Sequence, residues 1–137
     1  MLENLTFKSL GTVNYHETLE LMKSHIKDKN FSNEIWMLEH PPIFTLGTAA
    51  DKNHIINPKN IPVVQSDRGG EVTYHGPGQL VLYPIFDLSK QNYKSDLHWY
   101  VRKLEDVIIL TLEKLGICSE NNFLVERVDG MTGVWVN

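Results

Sequence analysis

Cysteine is almost absent: there is one, Cys118, in 137 positions. A lone thiol excludes an internal disulfide framework and a cysteine-rich zinc site, and it suits a reducing cytoplasm, the expected compartment. Basic residues are outnumbered, 13 Lys and Arg against 17 Asp and Glu, for a net charge of −4. The chain therefore has no general electrostatic footprint for nucleic acid. No stretch approaches the roughly 20 apolar residues of a membrane-crossing helix. The N-terminus, "MLENLTFKSLG", lacks a basic region followed by a long apolar run, so no signal peptide is expected. Internal repeats, low-complexity tracts and charged tails are missing too. What remains is the composition of a soluble globular protein, 42% hydrophobic and 22% charged. The length fits one domain over residues 1–137, large enough for a core without covalent staples.

The pattern along the chain alternates between strand and helix signals. "LTFKSLG" reads as a strand, and Asn14 with Glu17 three positions on reads as a capping box before a helix. Tyr15, Leu19, Met22 and Ile26 share a helical face. "EIWMLEH" and "IFTLG" read as strands split by Pro41 and Pro42, and residues 48–60 as a polar loop with a turn of helix. "IPVVQ" is a further strand, and "QLVLYPIFDL" an apolar run expected to be largely buried, with Pro84 marking an edge or bulge. Ser95 or Asp96 begins a long helix whose stripe is Leu97, Val101, Leu104, Ile108, Leu112 and Leu115, closed by Gly116. "FLVERV", the turn "DG" and "GVWV" complete a hairpin. Consecutive strands without intervening helices predict an α+β fold with a mixed, largely antiparallel sheet flanked by helices.

One stretch asks for more than a fold. "DRGGEVTYHGPGQL", residues 67–80, sets four glycines and a proline around Arg68, Tyr74 and His75. Glycines allow close backbone approach, and an arginine before two of them can meet a carbonyl, carboxylate or phosphate. "EVTY" then returns Tyr74 and His75 toward the same region, as the wall of a pocket would. A tight structural loop of a sheet protein is the alternative. It is not a P-loop, because no Gly-Lys-Ser/Thr follows.

The complete string "RGGEVTYHGPGQL" resembles the signature of the lipoyl(octanoyl) transferases, which move an octanoyl group from acyl carrier protein to lipoyl domains. "LEHPPIFTLG" (38–47), "GTVNYHETLELM" (11–22) and "RVDGMTGVWV" (127–136) extend the likeness over nearly the whole chain. Related lipoate and biotin ligases share the fold, and "TYHGPGQ" favours the transferase branch. The resemblance implies a biotin/lipoyl protein ligase-like (class II synthetase-like) fold. It also implies that Arg68, Gly69, Gly70, Glu71, Val72, Thr73, Tyr74 and His75 form one wall of the acyl pocket, with Tyr15 and His40 as further candidates by position. The implied partners are octanoyl-acyl carrier protein as donor and, as acceptors, the lipoyl domains of 2-oxoacid dehydrogenases and the glycine cleavage H protein.

The family reaction passes through a cysteine thioester beside an activating lysine, and thioester to amide requires neither ATP nor metal, so no cofactor is expected. The resemblance puts both residues beyond the equivalent of Asn137. The chain as it stands is thus expected to lack its catalytic residues, to be truncated at its C-terminus and to be inactive alone. Cys118 is a poor substitute: it follows Gly116 at a helix C-terminus, where the dipole disfavours a thiolate. The six histidines, at 16, 25, 40, 54, 75 and 98, show no metal-binding spacing. Trp36, Trp99 and Trp135 read as core or interface anchors. Lys90, Lys94, Arg102 and Lys103 would suit an acidic carrier protein or an ordinary solvated face. Two functions stay open: an incomplete acyltransferase of the lipoate pathway, or a non-catalytic acyl- or carrier-binding module.

Overall fold

The computed structural model describes residues 5–89, 96–117 and 124–137, which divide into two compact units, Met1–Asp87 and Leu88–Asn137. In the first, strand β1 (Thr6–Thr12) leads to Asn14, whose side chain accepts the His16 N–H and opens helix α1 (Tyr15–Ile26). The second clamp comes from Thr18, whose hydroxyl donates to the Asn14 carbonyl, and not from the expected Glu17 carboxylate. Tyr15 and Thr18 are buried, Leu19 and Met22 half-buried, and Ile26 lies in solvent. The helix is the crossover that lets β2 (Glu34–Glu39) run parallel to β1, and β6 (Val81–Ile85) then pairs antiparallel with β2.

Register decides what this sheet buries. Alternation on β2 puts Glu34, Trp36 and Leu38 on one face, opposite Ile85, Tyr83 and Val81 of β6. Trp36, Leu38 and Ile85 form the core, with Leu10, Met22, Phe31, Val81 and Tyr83 packed against it. The buried Glu34 is held among them by the Trp36 indole N–H at 2.6 Å, Lys8 at 2.7 Å and the Ser32 hydroxyl at 3.2 Å. Burial alone would raise its pKa, but these donors together with His25 hold it below the usual value. The apolar run around β6 is only half covered: Leu80 and Leu82 are exposed, whereas Ile85 is buried. As the edge of a three-stranded sheet, β6 leaves Leu82 in solvent, buries Ile85 and tolerates Pro84.

A second sheet has the order β4-β3-β5. Central β3 (Ile43–Leu46) runs parallel to β4 (Val63–Gln65) and antiparallel to β5 (Val72–His75), and a short 3₁₀ turn at Lys52–His54 lies in the 47–62 connection. β5 reaches β6 through Gly76-Pro77-Gly78-Gln79, where the Gln79 N–H bonds the Gly76 carbonyl at 3.1 Å and Gly78 has φ +84°. Proline second and a positive-φ glycine third make this a type II turn. The Gly78 N–H donates to the Glu39 carboxylate at 2.9 Å, which ties the turn to the end of β2.

In the second unit, Asp96 accepts the N–H groups of His98 and Trp99 and starts α2 (Leu97–Lys114). The hairpin follows as β7 (Val125–Val128) and β8 (Met131–Val136). The expected apolar stripe of α2 is only partly covered: Leu97, Ile108 and Leu115 are exposed, Val101, Leu104 and Leu112 are half-buried, and the helix residue that is buried is Glu105. A two-stranded hairpin is too narrow to cover an 18-residue helix. Its grip is polar instead: Glu105 accepts the Gly133 N–H at 2.9 Å, Arg127 Nε at 2.9 Å and Arg102 at 3.0 Å. Arg127 also pairs with Asp106. No described helix is long and apolar enough to cross a membrane. The chain thus has the α+β architecture expected, with parallel and antiparallel pairs mixed in small sheets.

Candidate functional site

The loop after β4 is fastened at both ends. At its start, the Tyr15 hydroxyl donates to Ser66 Oγ at 2.8 Å, and the same oxygen accepts the Arg68 N–H at 3.3 Å. Along its length, N–H groups of Gly47, Thr48 and Ala49 reach the carbonyls of Glu71, Arg68 and Gly70 at 3.3, 2.9 and 3.3 Å. Gly47, at the end of β3, fits only because it has no side chain: a Cβ there would overlap the Gly70 carbonyl oxygen. Gly70 itself needs its freedom for φ +87°, since a Cβ on it would meet only Arg68 Nη1, at an ordinary 3.5 Å.

Arg68 turns inward. Its guanidinium donates to the Thr45 hydroxyl at 2.8 and 3.3 Å, and to the carbonyls of Thr45, Glu71 and Gly69 at 2.9 Å each. Thr45 is fully buried on central β3. The charge thus serves as the loop's own scaffold. What the loop leaves over is backbone: among the described residues, nothing takes up the N–H groups of Gly69 and Gly70.

The remaining expected wall residues part into two groups, because β5 alternates. Tyr74 packs on Phe44, its cross-strand partner, with ring centroids 5.2 Å apart, and Val72 lies on that side too. Glu71 reaches away to the Asp51 N–H and His54. Thr73 pairs with Thr45, and His75 lies on the same face as Thr73. There His75 meets the two residues singled out by position, Tyr15 and His40. Tyr15 lies 5.4 Å from His40 and stacks on His75 at 6.4 Å, and the two imidazoles are 5.7 Å apart, edge to face. Tyr15, His40, Arg68 and His75 are therefore neighbours in space, while Glu71, Val72 and Tyr74 belong elsewhere.

The two histidines differ in kind. His40 is fully buried, with Nδ1 donating to the Val13 carbonyl at 2.7 Å and Nε2 bonded to the Tyr83 hydroxyl at 2.9 Å. Burial, helped by nearby Tyr15, pushes the Tyr83 hydroxyl up to about 12, so it stays protonated. His75 is half-buried and reaches Gln79 at 2.7 Å. Burial lowers its pKa, aided by His40 and Arg68 and opposed by Gln79.

Thr45, Gly47, Ser66, Gln79 and Tyr83 are site members that the sequence reading passed over. Gln79 stood within the glycine-rich string, four residues from its partner His75, whereas Gly47 ended a predicted strand and meets Gly70 23 positions away. Nearby, Leu46, Lys52, Ile55, Val63 and Gln65 line a cavity of about 370 Å³ that does not include residues 68–75. Among the described residues, no group of three or more His, Cys, Asp or Glu could hold a metal ion. Cys118, Lys90 and Lys94 lie outside the described residues. Arg102 and Lys103 pair with Glu105 and Asp106.

Comparison with known proteins extends these findings. Residues 14–137 match the family described as the lipoyl protein ligase A/B catalytic domain. An octanoyltransferase of Gloeobacter violaceus is 47% identical over 117 residues, 85% of this chain and 49% of the relative. An octanoyltransferase of Polaromonas sp. is 40% identical over 135 residues, 97% of this chain and 51% of the relative. A chloroplastic octanoyltransferase of Arabidopsis thaliana is 47% identical over 113 residues, 80% and 38% of the respective chains. This chain spans about half the length of such relatives. A solved structure from T. acidophilum, described as a candidate lipoate protein ligase, shares the fold with a TM-score of 0.58 at 14% identity, over 95% of this chain and 57% of that one.

Proposed function

The chain belongs to the lipoyl protein ligase A/B catalytic domain family, and on that premise we propose that it forms the acyl-binding half of an octanoyltransferase of lipoate biosynthesis. The observation that carries this reading is the state of the 66–71 loop. Its carbonyls and its arginine are tied to β3 and to residues 47–49, while the Gly69 and Gly70 N–H groups have no partner among the described residues. Two amide donors on a rigid loop suit the carbonyl oxygen of a thioester, whose negative charge grows as it is attacked. Tyr15, His40 and His75 form the polar end of the same wall.

The donor in this reading is octanoyl-acyl carrier protein, and the acceptor is the lysine amine of a lipoyl domain. The group passes through a thioester on a cysteine activated by a lysine, both belonging to a segment beyond the equivalent of Asn137. The chain of residues 1–137 then binds and orients but does not transfer, because positioning supplies no nucleophile.

The experiment is a chimera. Residues 1–137 alone, and residues 1–137 joined to the remaining C-terminal part of the Gloeobacter violaceus octanoyltransferase, are each incubated with octanoyl-acyl carrier protein and an apo-lipoyl domain, and all masses are followed. Transfer by the chimera alone is the expected result. Octanoylation by the short chain would overturn the division of labour. A folded chimera that binds octanoyl carrier protein without transfer would favour a binding module instead.

A further inference from the structure

The second sheet has two faces, and only one of them carries the histidine cluster. In the register of β3 with β4, Val63 stands opposite Phe44 and Gln65 opposite Leu46, whereas Thr45 shares the other face with Thr73 and His75. The cavity of about 370 Å³ lined by Leu46, Lys52, Ile55, Val63 and Gln65 therefore lies on the face turned away from His75. Its floor is apolar, with Leu46 buried and Ile55 half-buried. Two polar groups stand over it. Gln65 Nε2 donates to the carbonyls of Leu46, Gly47 and Ser66 at 3.0, 3.3 and 3.2 Å, so its Oε1 is turned the other way, an acceptor with no partner among the described residues. Lys52 is exposed, and no described carboxylate pairs with its ammonium: Asp51 accepts the Asn53 N–H at 2.9 Å, and Glu71 serves the Asp51 N–H and His54. The same contacts tie the cavity to the glycine-rich loop, since Glu71 belongs to that loop and its carbonyl accepts the Gly47 N–H.

We propose that this cavity takes the phosphopantetheine arm of the acyl donor. The inference rests on the octanoyltransferase reading above, in which the donor is a carrier-borne thioester. The lining makes three demands on a ligand: an anion for Lys52, an N–H for Gln65 Oε1, and an apolar group for Leu46, Ile55 and Val63. A fatty acid brings the anion and the apolar chain but no N–H. A nucleotide brings anions and donors but no branched apolar part. The arm meets all three, with a phosphate that an ammonium holds as a point charge, amide N–H groups, and geminal methyls between them. Its thiol end carries the acyl group. From Gln65 the chain leads past Gly47 to the 66–71 loop, where the Gly69 and Gly70 N–H groups await the thioester carbonyl. The arm thus lies on one face of the sheet, and the acyl group is delivered at the end that both faces share.

Two measurements test it. In amide spectra of the ¹⁵N-labelled 137-residue chain, 4′-phosphopantetheine should shift Lys52, Ile55, Val63 and the Gln65 side-chain amide. Lys52→Gln, at an exposed position, should weaken that binding by about tenfold, while pantetheine, which has no phosphate, should bind the unaltered chain and the variant alike. Absence of these shifts overturns the proposal, and so does their full reproduction by inorganic phosphate. Octanoyl-carrier protein should shift the same amides; if coenzyme A does so and the carrier protein does not, the arm recognised is not the donor's and the proposal falls. In the chimera, Lys52→Gln should raise KM for octanoyl-carrier protein about tenfold, with kcat and KM for the lipoyl domain little changed. If the unaltered chimera transfers octanoate and Lys52→Gln leaves that KM as it was, this inference fails alone. If the unaltered chimera transfers nothing while the shifts are seen, the octanoyltransferase reading fails and the arm site stands, as that of a carrier-binding module.

Discussion

Gly47→Ala would place a methyl group on the Gly70 carbonyl oxygen, and the obstacle is backbone, which cannot swing aside as a flexible side chain would. Overpacking of this kind costs about 1–3 kcal/mol, read as a fall in the urea midpoint with an unchanged slope. Gly70→Ala acts differently. The space is open, and the penalty is that of a left-handed residue, roughly 1–2 kcal/mol. Tyr83→Phe leaves His40 Nε2 buried without its partner, at a cost of about 1–3 kcal/mol; a stability equal to that of the unaltered chain would show that the bond in question contributes nothing. These residues also mark where sequence reading stops. Arg68, Gly69, Gly70 and His75 were legible because they stand together in one string. Gly47 and Tyr83 were not, since each matters through a residue 23 or 43 positions away. Arg68 was legible as important, but its direction was not: nothing in "RGG" says that the guanidinium turns toward Thr45.

At the level of elements, local chemistry was the readable part. Asn14 and Asp96 cap helices, "GPGQ" makes a type II turn, and "DG" joins two strands, each from interactions within four residues. Burial was harder, because it depends on what lies across the sheet or helix. The run at residues 79–88 looked largely buried, but Leu80 and Leu82 are exposed and its one buried residue is Ile85, and the stripe of α2 looked like its anchor where Glu105 is. That carboxylate predicts acid sensitivity. The Gly133 N–H does most to hold the Glu105 pKa below 4.5, with Arg127 and Arg102 adding to it against the cost of burial. A depressed folded-state pKa gives stability that is present above the unfolded value and lost as pH falls through the folded one. Unfolding followed by circular dichroism from pH 6 to pH 2 should therefore show α2 and its hairpin weakening below about pH 4.5, and Glu105→Gln should remove that dependence while lowering stability at pH 7. A pH profile the same with and without Glu105 would contradict this.

For the whole molecule, charge and exposed apolar surface work together. The net charge is −4 and the pI about 5.8. Leu80 and Leu82 are exposed in the first unit, and Val107, Leu110, Leu115, Trp135 and Val136 in the second. Self-repulsion keeps such chains apart, and it vanishes near the pI. Sedimentation velocity should show association rising with concentration and strongest near pH 5.8, with Leu82→Lys reducing it. A monomer at every pH and concentration would show that these side chains do not cohere. The fold class was readable from the order of strands and helices, but the pairing was not. That β1 lies beside β2, and β3 between β4 and β5, follows from side chains meeting over long loops, which no local pattern records.

The contact between Gly47 and Gly70 gives the loop a memory of mutational order. Once Gly47 has accepted a side chain and the loop has moved off β3, the backbone path that holds Gly70 at φ +87° is no longer imposed. The second substitution should then cost less than it would have cost first, by about 0.5–3 kcal/mol in a double-mutant cycle. A lineage that loses Gly47 is thereby freed to lose Gly70, and restoring Gly47 alone would then meet the altered loop and not the original one.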